Sequence, residues 1–176
     1  MFDALLDRSI VASFDRTGFA RHARRFVPGP WRDLGGSRVL ITGGTSGIGL
    51  SAAHGLVERG AHCVLWGRRD AVGHEAAGAV GGTFHSVDLA DLDTVRRAAW
   101  QVRGPLAGVV LNAGAMPLER TRSPQGHGQM WASQVLGHLL LLRILERRGL
   151  LDEGTRVVWV ASGGMYLQDL DLSDLT

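Results

Sequence analysis

The segment Thr42–Gly49, which reads TGGTSGIG, constrains the fold of this chain more than any other stretch. A short apolar run at 38–41 precedes it and predicts a buried strand. Apolar residues at helical spacing follow it from Ile48 to Arg59, and Gly60 stands where a helix would stop. Strand, glycine turn and helix in this order are the context of a dinucleotide-binding fingerprint.

Each glycine of this segment has its own expected role. Gly43 permits a tight turn, Gly47 lets the backbone approach a pyrophosphate, and Gly49 lets helix and strand pack closely. The first N–H groups of the helix and its positive dipole end would then face the phosphates. The residues predicted to bind the cofactor here are Gly43, Thr45, Ser46, Gly47, Ile48 and Gly49.

The glycine turn does not by itself require a dinucleotide. A strand-to-helix turn without a ligand stays open, because the chain has 25 glycines. A P-loop is excluded, because Leu50 stands where the phosphate-binding lysine must be and the chain contains no lysine.

Composition limits the class of protein. The chain has 176 residues, of which 45% are hydrophobic and 20% charged, which is typical of a globular domain. A net charge of +2 gives no reason to expect a nucleic-acid partner. A single cysteine, Cys63, and the lack of a signal-peptide pattern favour a cytoplasmic protein. The histidines lack ligand spacing, so we expect no metal site.

Residues 1–34 are predicted to form an N-terminal helical arm. Apolar residues from Phe2 to Phe14 fall on one helical face, and a short basic helix is expected at 17–26. Contact of this arm with an anionic membrane surface is one interpretation. Packing of the arm on the domain or on a partner is the favoured one, because the apolar face is short.

From Arg38 onward strands and helices alternate, which indicates an α/β fold over 35–176 with a doubly wound parallel sheet and helices on both faces. The strands are predicted at 38–41, 61–66, 83–87, 106–111 and 155–161. The helices are predicted at 48–59, at 70–80 (weak and broken by glycine), at 91–102 (capped by Asp91) and at 129–148 (ended by Gly149).

Ligands of such sheets bind at the carboxyl ends of the strands, where the winding reverses. Gly43 follows the first predicted strand, 112–114 (Asn-Ala-Gly) follows the fourth, and 162–164 (Ser-Gly-Gly) follows the fifth. We therefore expect these three segments to meet at one crevice.

These motifs together resemble the short-chain dehydrogenase/reductase family. TGGTSGIG matches its TGxxxGxG motif, LNAG at 111–114 matches its NNAG, and VVWVAS at 157–162 matches the strand that leads to its catalytic serine. VLGHLLL at 135–141 resembles the helix of its retinol-dehydrogenase-like branch. The segment 161–165 and the arm that ends at 26–28 resemble the dehydrogenase/reductase member 12 group of that branch. The resemblance implies a Rossmann fold and NAD(P)-dependent hydride transfer between nicotinamide and a carbonyl or secondary alcohol substrate. A homo-oligomer is left open.

The resemblance also implies roles for single residues. Asp88 and Leu89 would contact adenine, although Asp88 could instead cap the next helix. Asn112, Ala113 and Gly114 would line the cofactor channel, and Asn112 is also expected to brace the neighbouring strands. Ser162 would be the catalytic serine that orients the carbonyl.

Part of the family's catalytic set has no counterpart in this chain. Tyr166 is the only tyrosine, Leu170 occupies the lysine position, and Gln134 stands in place of the family asparagine. We therefore expect the chain to lack the last strands of the family fold and to be inactive by itself. The alternative is a non-catalytic dinucleotide-binding or scaffold protein, if the chain truly ends at Thr176. A Rossmann methyltransferase fits less well.

The loop after the second predicted strand bears on cofactor choice. Arg68 and Arg69 stand where a carboxylate would bind a ribose 2′-hydroxyl, and guanidinium groups suit a 2′-phosphate. The two arginines favour NADP over NAD. NAD remains the alternative because Asp70, a carboxylate, follows them directly.

Overall fold

The computed structural model describes residues 16–25, 33–116 and 119–162. The chain divides into two compact units, one made of 33–160 with 171–176 and the other of 1–32 with 161–170. In the second unit, helix α1 (Arg16–Ala23) overlaps the basic helix predicted at 17–26. The amphipathic helix predicted around 2–14 lies outside the described residues.

The first unit is built on a parallel five-stranded sheet, as the sequence predicted. The strands follow the order β3-β2-β1-β4-β5 across the sheet, so the winding reverses between β1 and β4. Their bounds are β1 (Arg38–Thr42), β2 (His62–Gly67), β3 (Thr83–Ser86), β4 (Gly108–Leu111) and β5 (Arg156–Trp159). The fold class is therefore confirmed, and the fourth and fifth strands are shorter than predicted.

Helices cover both faces of this sheet. They are α2 (Gly47–Val57), α3 (Asp70–Val80), α4 (Leu92–Gln101), α5 (Gln129–Trp131) and α6 (Gly137–Arg147). Asp91 caps α4 as predicted, its carboxylate accepting the N–H of Asp93 at 3.0 Å. Within the described chain, no helix has the length and apolarity needed to cross a bilayer.

The prediction of one regular helix over 129–148 is wrong in its middle. Ala132–Leu136 forms a π-helical turn between α5 and α6. Apolar periodicity did not reveal it, because a π turn adds one residue to a helical turn without changing which residues are apolar. Gly137 follows this turn, and a Cβ there would overlap the carbonyl oxygen of Leu89.

The strands alternate their side chains between two cores. Val39 and Ile41 of β1 pack with residues of β2 and with the helices α2 and α3. Leu40, between them, packs on the opposite face with residues of β4, α4 and α6. Cys63 is fully buried, and burial raises the pKa of its thiol to about 11, which agrees with an inert core residue.

Helix α3 is continuous, so the prediction of a glycine-broken helix is wrong. Gly73 lies inside it, and a Cβ at this position would overlap the ring of Phe84. The glycine is therefore required by packing, and it does not interrupt the helix. Gly81, with φ of +63°, ends the helix in the left-handed conformation.

Strand β5 forms one edge of the sheet. Among the described residues it pairs with β4 alone, and its residues are exposed. Val157, Val158 and Trp159 keep between 42% and 50% of their surface accessible. This is an apolar edge of the kind that promotes association.

The two glycines inside α3 should respond oppositely to alanine. Gly73→Ala should lower the free energy of unfolding by about 1–3 kcal/mol, because its methyl group overlaps the Phe84 ring. Gly78→Ala should raise it by about 0.5–1 kcal/mol, because open space surrounds that position and alanine favours helix. Urea denaturation of both variants is the measurement, and equal effects at the two positions would contradict the packing assignment.

Candidate functional site

The carboxyl ends of three strands meet at one crevice. Thr42, the last residue of β1, lies level with Trp66 of β2 and Leu111 of β4. The residues that follow these strands are therefore neighbours at the sheet edge. They enclose a cavity of about 640 Å³ at the point where the winding reverses, a size and place typical of small-molecule sites.

Most residues predicted to bind a cofactor line this cavity. They are Gly43, Thr45, Ser46, Ile48, Arg68, Arg69, Asp88, Leu89, Asn112, Ala113 and Gly114. Gly47 and Gly49 are not among the lining residues, although both lie in the same turn. Ser162 follows β5, is exposed and belongs to the other compact unit, so its catalytic role stays a prediction.

The glycine turn depends on close backbone approaches. Gly43 has φ of +64°, and a Cβ there would lie 2.9 Å from the Cα of Ala113. A Cβ on Gly49 would overlap the carbonyl oxygen of Gly43 and lie 2.6 Å from Nδ2 of Asn112. These two glycines are therefore required for β1, α2 and the end of β4 to fit together.

Gly47 differs from its neighbours because nothing lies within 4 Å of a Cβ placed on it. Its φ of +53° brings the chain into α2. Ser46, the residue before the helix, does not cap it with its side chain. Within the described ranges no side chain accepts from the first N–H groups of α2, which lie beside open space, an arrangement that suits an anion.

Asn112 ties the ends of β1 and β4 together. Its Nδ2 donates to the carbonyl oxygens of Thr42 at 3.1 Å and Gly43 at 3.2 Å. The side chain thus fixes the start of the glycine turn while it lines the cavity. A bracing role for this asparagine was one of the expectations from the sequence.

A buried polar junction lies directly beneath the crevice. Oγ1 of Thr42 accepts the N–H groups of Asn112 at 3.0 Å and Ala113 at 3.1 Å. The same oxygen lies 2.9 Å from Nε2 of His138, whose Nδ1 lies 3.0 Å from the carbonyl oxygen of Gln134. Both Thr42 and His138 are almost completely buried. Burial lowers the pKa of His138, and the hydrogen bond to Gln134 opposes this only in part.

One end of the cavity combines an acid with two arginines. Asp88 accepts the N–H of Ala90 through Oδ1 at 2.9 Å and does not cap α4, since Asp91 holds that position. Among the described residues its Oδ2 has no hydrogen-bond partner. Arg68 and Arg69 are exposed, and no ion pair within the described ranges involves them. Both guanidinium groups therefore remain available to an anionic ligand.

Gly67 lets the wall of the cavity close next to these arginines. A Cβ on Gly67 would lie 2.8 Å from Cγ2 of Thr45, which is buried. Thr45 thus packs over the end of β2, and the glycine at that end is needed for this contact.

A hairpin near 121–128 forms another part of the wall, and the sequence did not predict it. A bridge between Arg122 and Gly128 closes it, and Thr121 at its start lines the cavity. The side-chain amide of Gln125 anchors it, donating to Asp91 at 3.0 Å and accepting the N–H of Leu92 at 3.2 Å. The hydrogen bond from Gln125 lowers the pKa of Asp91.

Sequence reasoning also missed several lining residues and the junction beneath them. The missed lining residues are Trp66, Val87, Ala115, Met116, Thr121, Gln129, Met130 and Ser133. His138 stands four residues after Gln134, a spacing that places both on one helix face, and this was the signal that could have drawn attention to it.

Comparison with known proteins agrees with the geometry. The short chain dehydrogenase family model matches residues 37–165. A Streptomyces lividans protein named "Probable oxidoreductase" is 37% identical over 142 residues, which cover 77% of this chain and 48% of that protein. Human "Dehydrogenase/reductase SDR family member 12" is 29% identical over 179 residues, which cover 94% of this chain and 55% of the human protein.

A solved structure supports the same relationship. An uncharacterized protein from Mycobacterium Paratuberculosis aligns with a TM-score of 0.72 and 31% identity, over 83% of this chain and 53% of that one. The chain spans about half the length of the curated relatives it matches.

The amide of Asn112 should be essential to the sheet end. In Asn112→Asp a carboxylate faces two carbonyl oxygens, so the free energy of unfolding should fall by about 2–4 kcal/mol at neutral pH. The loss should shrink as the pH falls, because protonation of the new carboxyl restores one donor. Urea denaturation between pH 4 and 7.5 is the measurement. Gln101→Glu, the same change at an exposed position, is the control and should shift stability by less than about 1 kcal/mol.

Proposed function

Because the chain belongs to the short-chain dehydrogenase/reductase family, we propose that its crevice binds a nicotinamide dinucleotide for the oxidation or reduction of a small substrate. One observation carries this proposal: the uncapped start of α2 and the left-handed Gly47 face open space at the switch between β1 and β4. An anionic pyrophosphate needs such a combination of free N–H groups and positive dipole.

The remaining lining residues fit the other parts of such a cofactor. Asp88 would accept from the adenine amino group through Oδ2, with Leu89 beside it. Asn112, Ala113 and Gly114 would lie along the dinucleotide. A volume of about 640 Å³ is compatible with a ligand of this size.

The arginines favour NADP over NAD. Arg68 and Arg69 line the crevice after β2, where the ribose of the adenosine half would lie. Guanidinium groups bind a 2′-phosphate by charge-assisted hydrogen bonds. Asp70 begins helix α3, where its negative charge interacts favourably with the helix dipole. The presence of Asp70 at this place therefore does not require a contact with a ribose.

The nicotinamide, when bound, supplies hydride exchange with a carbonyl or secondary alcohol. Ser162 would orient the carbonyl oxygen. Tyr166 is the only tyrosine of the chain and there is no lysine, so we propose that these 176 residues bind dinucleotide without turnover by themselves. General acid catalysis supplies a factor of about 10²–10⁴, which an enzyme without a placed proton donor forgoes. Binding without turnover is also what a non-catalytic dinucleotide-binding protein would show.

The wall of the crevice indicates an apolar substrate. Ile48, Met116 and Met130 line the cavity, yet they keep 72%, 88% and 42% of their surface exposed. Exposed apolar side chains beside a cavity favour ligands with apolar surface to bury, and methionine adapts to varied shapes. The substrate class we propose is therefore a carbonyl compound or alcohol with an apolar body.

Blocking the open space at Gly47 should abolish most dinucleotide binding. Gly47→Ala places a methyl group where the pyrophosphate would lie, and the affinity for NADPH should fall by roughly tenfold or more. Gly36→Ala is the matched control, because Gly36 also has a positive φ and open surroundings but lies before β1, outside the glycine turn and the start of α2. Titration followed by nicotinamide fluorescence is the measurement. Similar losses of NADPH affinity in both variants would mean that backbone strain, and not a blocked pyrophosphate site, causes the effect.

The arginines should discriminate between the two cofactors. Replacing Arg68 and Arg69 with alanine should weaken NADPH binding by about 1.5–3 kcal/mol, the value of charge-assisted hydrogen bonds. NADH binding should barely change, because NADH lacks the 2′-phosphate. Arg147→Ala, an exposed arginine on α6, is the control. Equal losses for NADPH and NADH would show that these arginines do not read the 2′-phosphate.

A further inference from the structure

We propose that His138 is a positioning residue of the dinucleotide site, acting in its neutral form through the hydroxyl of Thr42. Thr42 in turn holds the backbone of Asn112 and Ala113, which form one wall of the crevice. The ligand named here rests on the proposed function, whereas the junction itself is a property of the protein alone.

The hydrogen-bond partners assign the tautomer of His138. The carbonyl oxygen of Gln134 can only accept, so Nδ1, 3.0 Å away, must carry the hydrogen. In a neutral imidazole Nε2 is then an acceptor, and the Thr42 hydroxyl donates to it across 2.9 Å. Val110 offers a carbonyl oxygen to the same hydroxyl at 3.4 Å, which is a weaker alternative.

This tautomer determines which hydrogen bonds the Thr42 hydroxyl makes with the crevice wall. Once its single hydrogen points to His138, the lone pairs of Oγ1 are free to accept the N–H groups of Asn112 and Ala113. The hydrogen bond to His138 is buried and the two from Asn112 and Ala113 are partly buried, and an unmet donor in a buried place costs about 1–3 kcal/mol. The junction therefore fixes the position of the loop after β4, and this loop forms one wall of the cavity.

Protonation of His138 would reverse this arrangement. The groups that face the ring are the Thr42 hydroxyl from β1, the Trp159 ring from β5 at 5.7 Å, and the Gln134 carbonyl from the π turn that precedes α6. Within the described residues none of these contacts is charged or titratable. A hydrogen on Nε2 would face an oxygen whose two lone pairs already accept the N–H groups of Asn112 and Ala113. The hydroxyl hydrogen would have to turn toward the carbonyl oxygen of Val110, and the imidazole would compete with those two N–H groups.

The pH range follows from the sign of the shift. Burial lowers the pKa of His138 from its ordinary value of 6.5, so the folded protein keeps the ring neutral to a lower pH than the unfolded chain does. The stabilisation is fully present above about pH 6.5 and is lost as the pH falls through the pKa of the folded state. Dinucleotide affinity should decline over the same range.

Nuclear magnetic resonance of the full chain tests the junction without a ligand. The imidazole nitrogens of His138 should show the Nδ1–H tautomer at pH 7.5. The backbone amide signals of Asn112 and Ala113 should shift together as the pH is lowered below 6.5. An Nε2–H tautomer, or amide signals indifferent to the titration of His138, would overturn the proposal.

Variants connect the junction to binding. Thr42→Val keeps the shape but removes the hydroxyl, and NADPH affinity should fall by roughly tenfold, the value of one buried hydrogen bond. Thr42→Ser keeps the hydroxyl and should recover most of that affinity. His138→Phe should weaken binding and abolish the decline of affinity that accompanies a fall in pH below 6.5. His54→Gln, at an exposed position of α2, is the control and should keep the wild-type pH profile.

The outcomes separate this inference from the proposed function. Failure of the wild-type chain to bind NADPH would refute the proposed function, while the tautomer and amide signals would still decide whether His138 holds the wall. Normal NADPH affinity in a folded His138→Phe protein would refute the inference alone. Should that variant not fold, the wild-type tautomer and the pH profile of the wild-type affinity decide the question.

Discussion

The hydroxyl of Thr42 joins three parts of this protein that are distant in sequence. It accepts two backbone N–H groups from the end of β4 and contacts His138 on α6, while its own residue ends β1. A hydroxyl suits this place because it can accept two N–H groups and donate one hydrogen to His138. Polar groups that are removed from water need such hydrogen bonds. The position of the glycine turn and of the loop after β4 both depend on it.

Close approach of backbones produces the rest of the site. Gly49 lets α2 lie directly on Gly43 and Asn112, and Gly67 lets Thr45 pack over the end of β2. Side chains at these positions would hold the strands, the helix and the loop apart. The cavity at the switch between β1 and β4 therefore exists because small residues stand where the elements converge.

The relatives place this arrangement in the short-chain dehydrogenase/reductase family. Family membership agrees with the observed sheet order and with the residues around the crevice. The aligned residues cover about half of each of these relatives, so hydride transfer by this chain is a proposal. Within the described residues, the crevice combines a helix start without a side-chain cap, two arginines and an apolar wall.

The sequence by itself determined the order of strands and helices, the parallel sheet, the glycine turn and most residues of the crevice. These follow from short-range patterns, since periodicity and turn chemistry are written within about ten neighbouring residues. Only the tertiary structure decided the π turn, the hairpin anchored by Gln125 and the contact of Thr42 with His138. Thr42 and His138 are 96 positions apart in the sequence. Such a contact arises from the packing of α6 against the sheet, which no local pattern encodes.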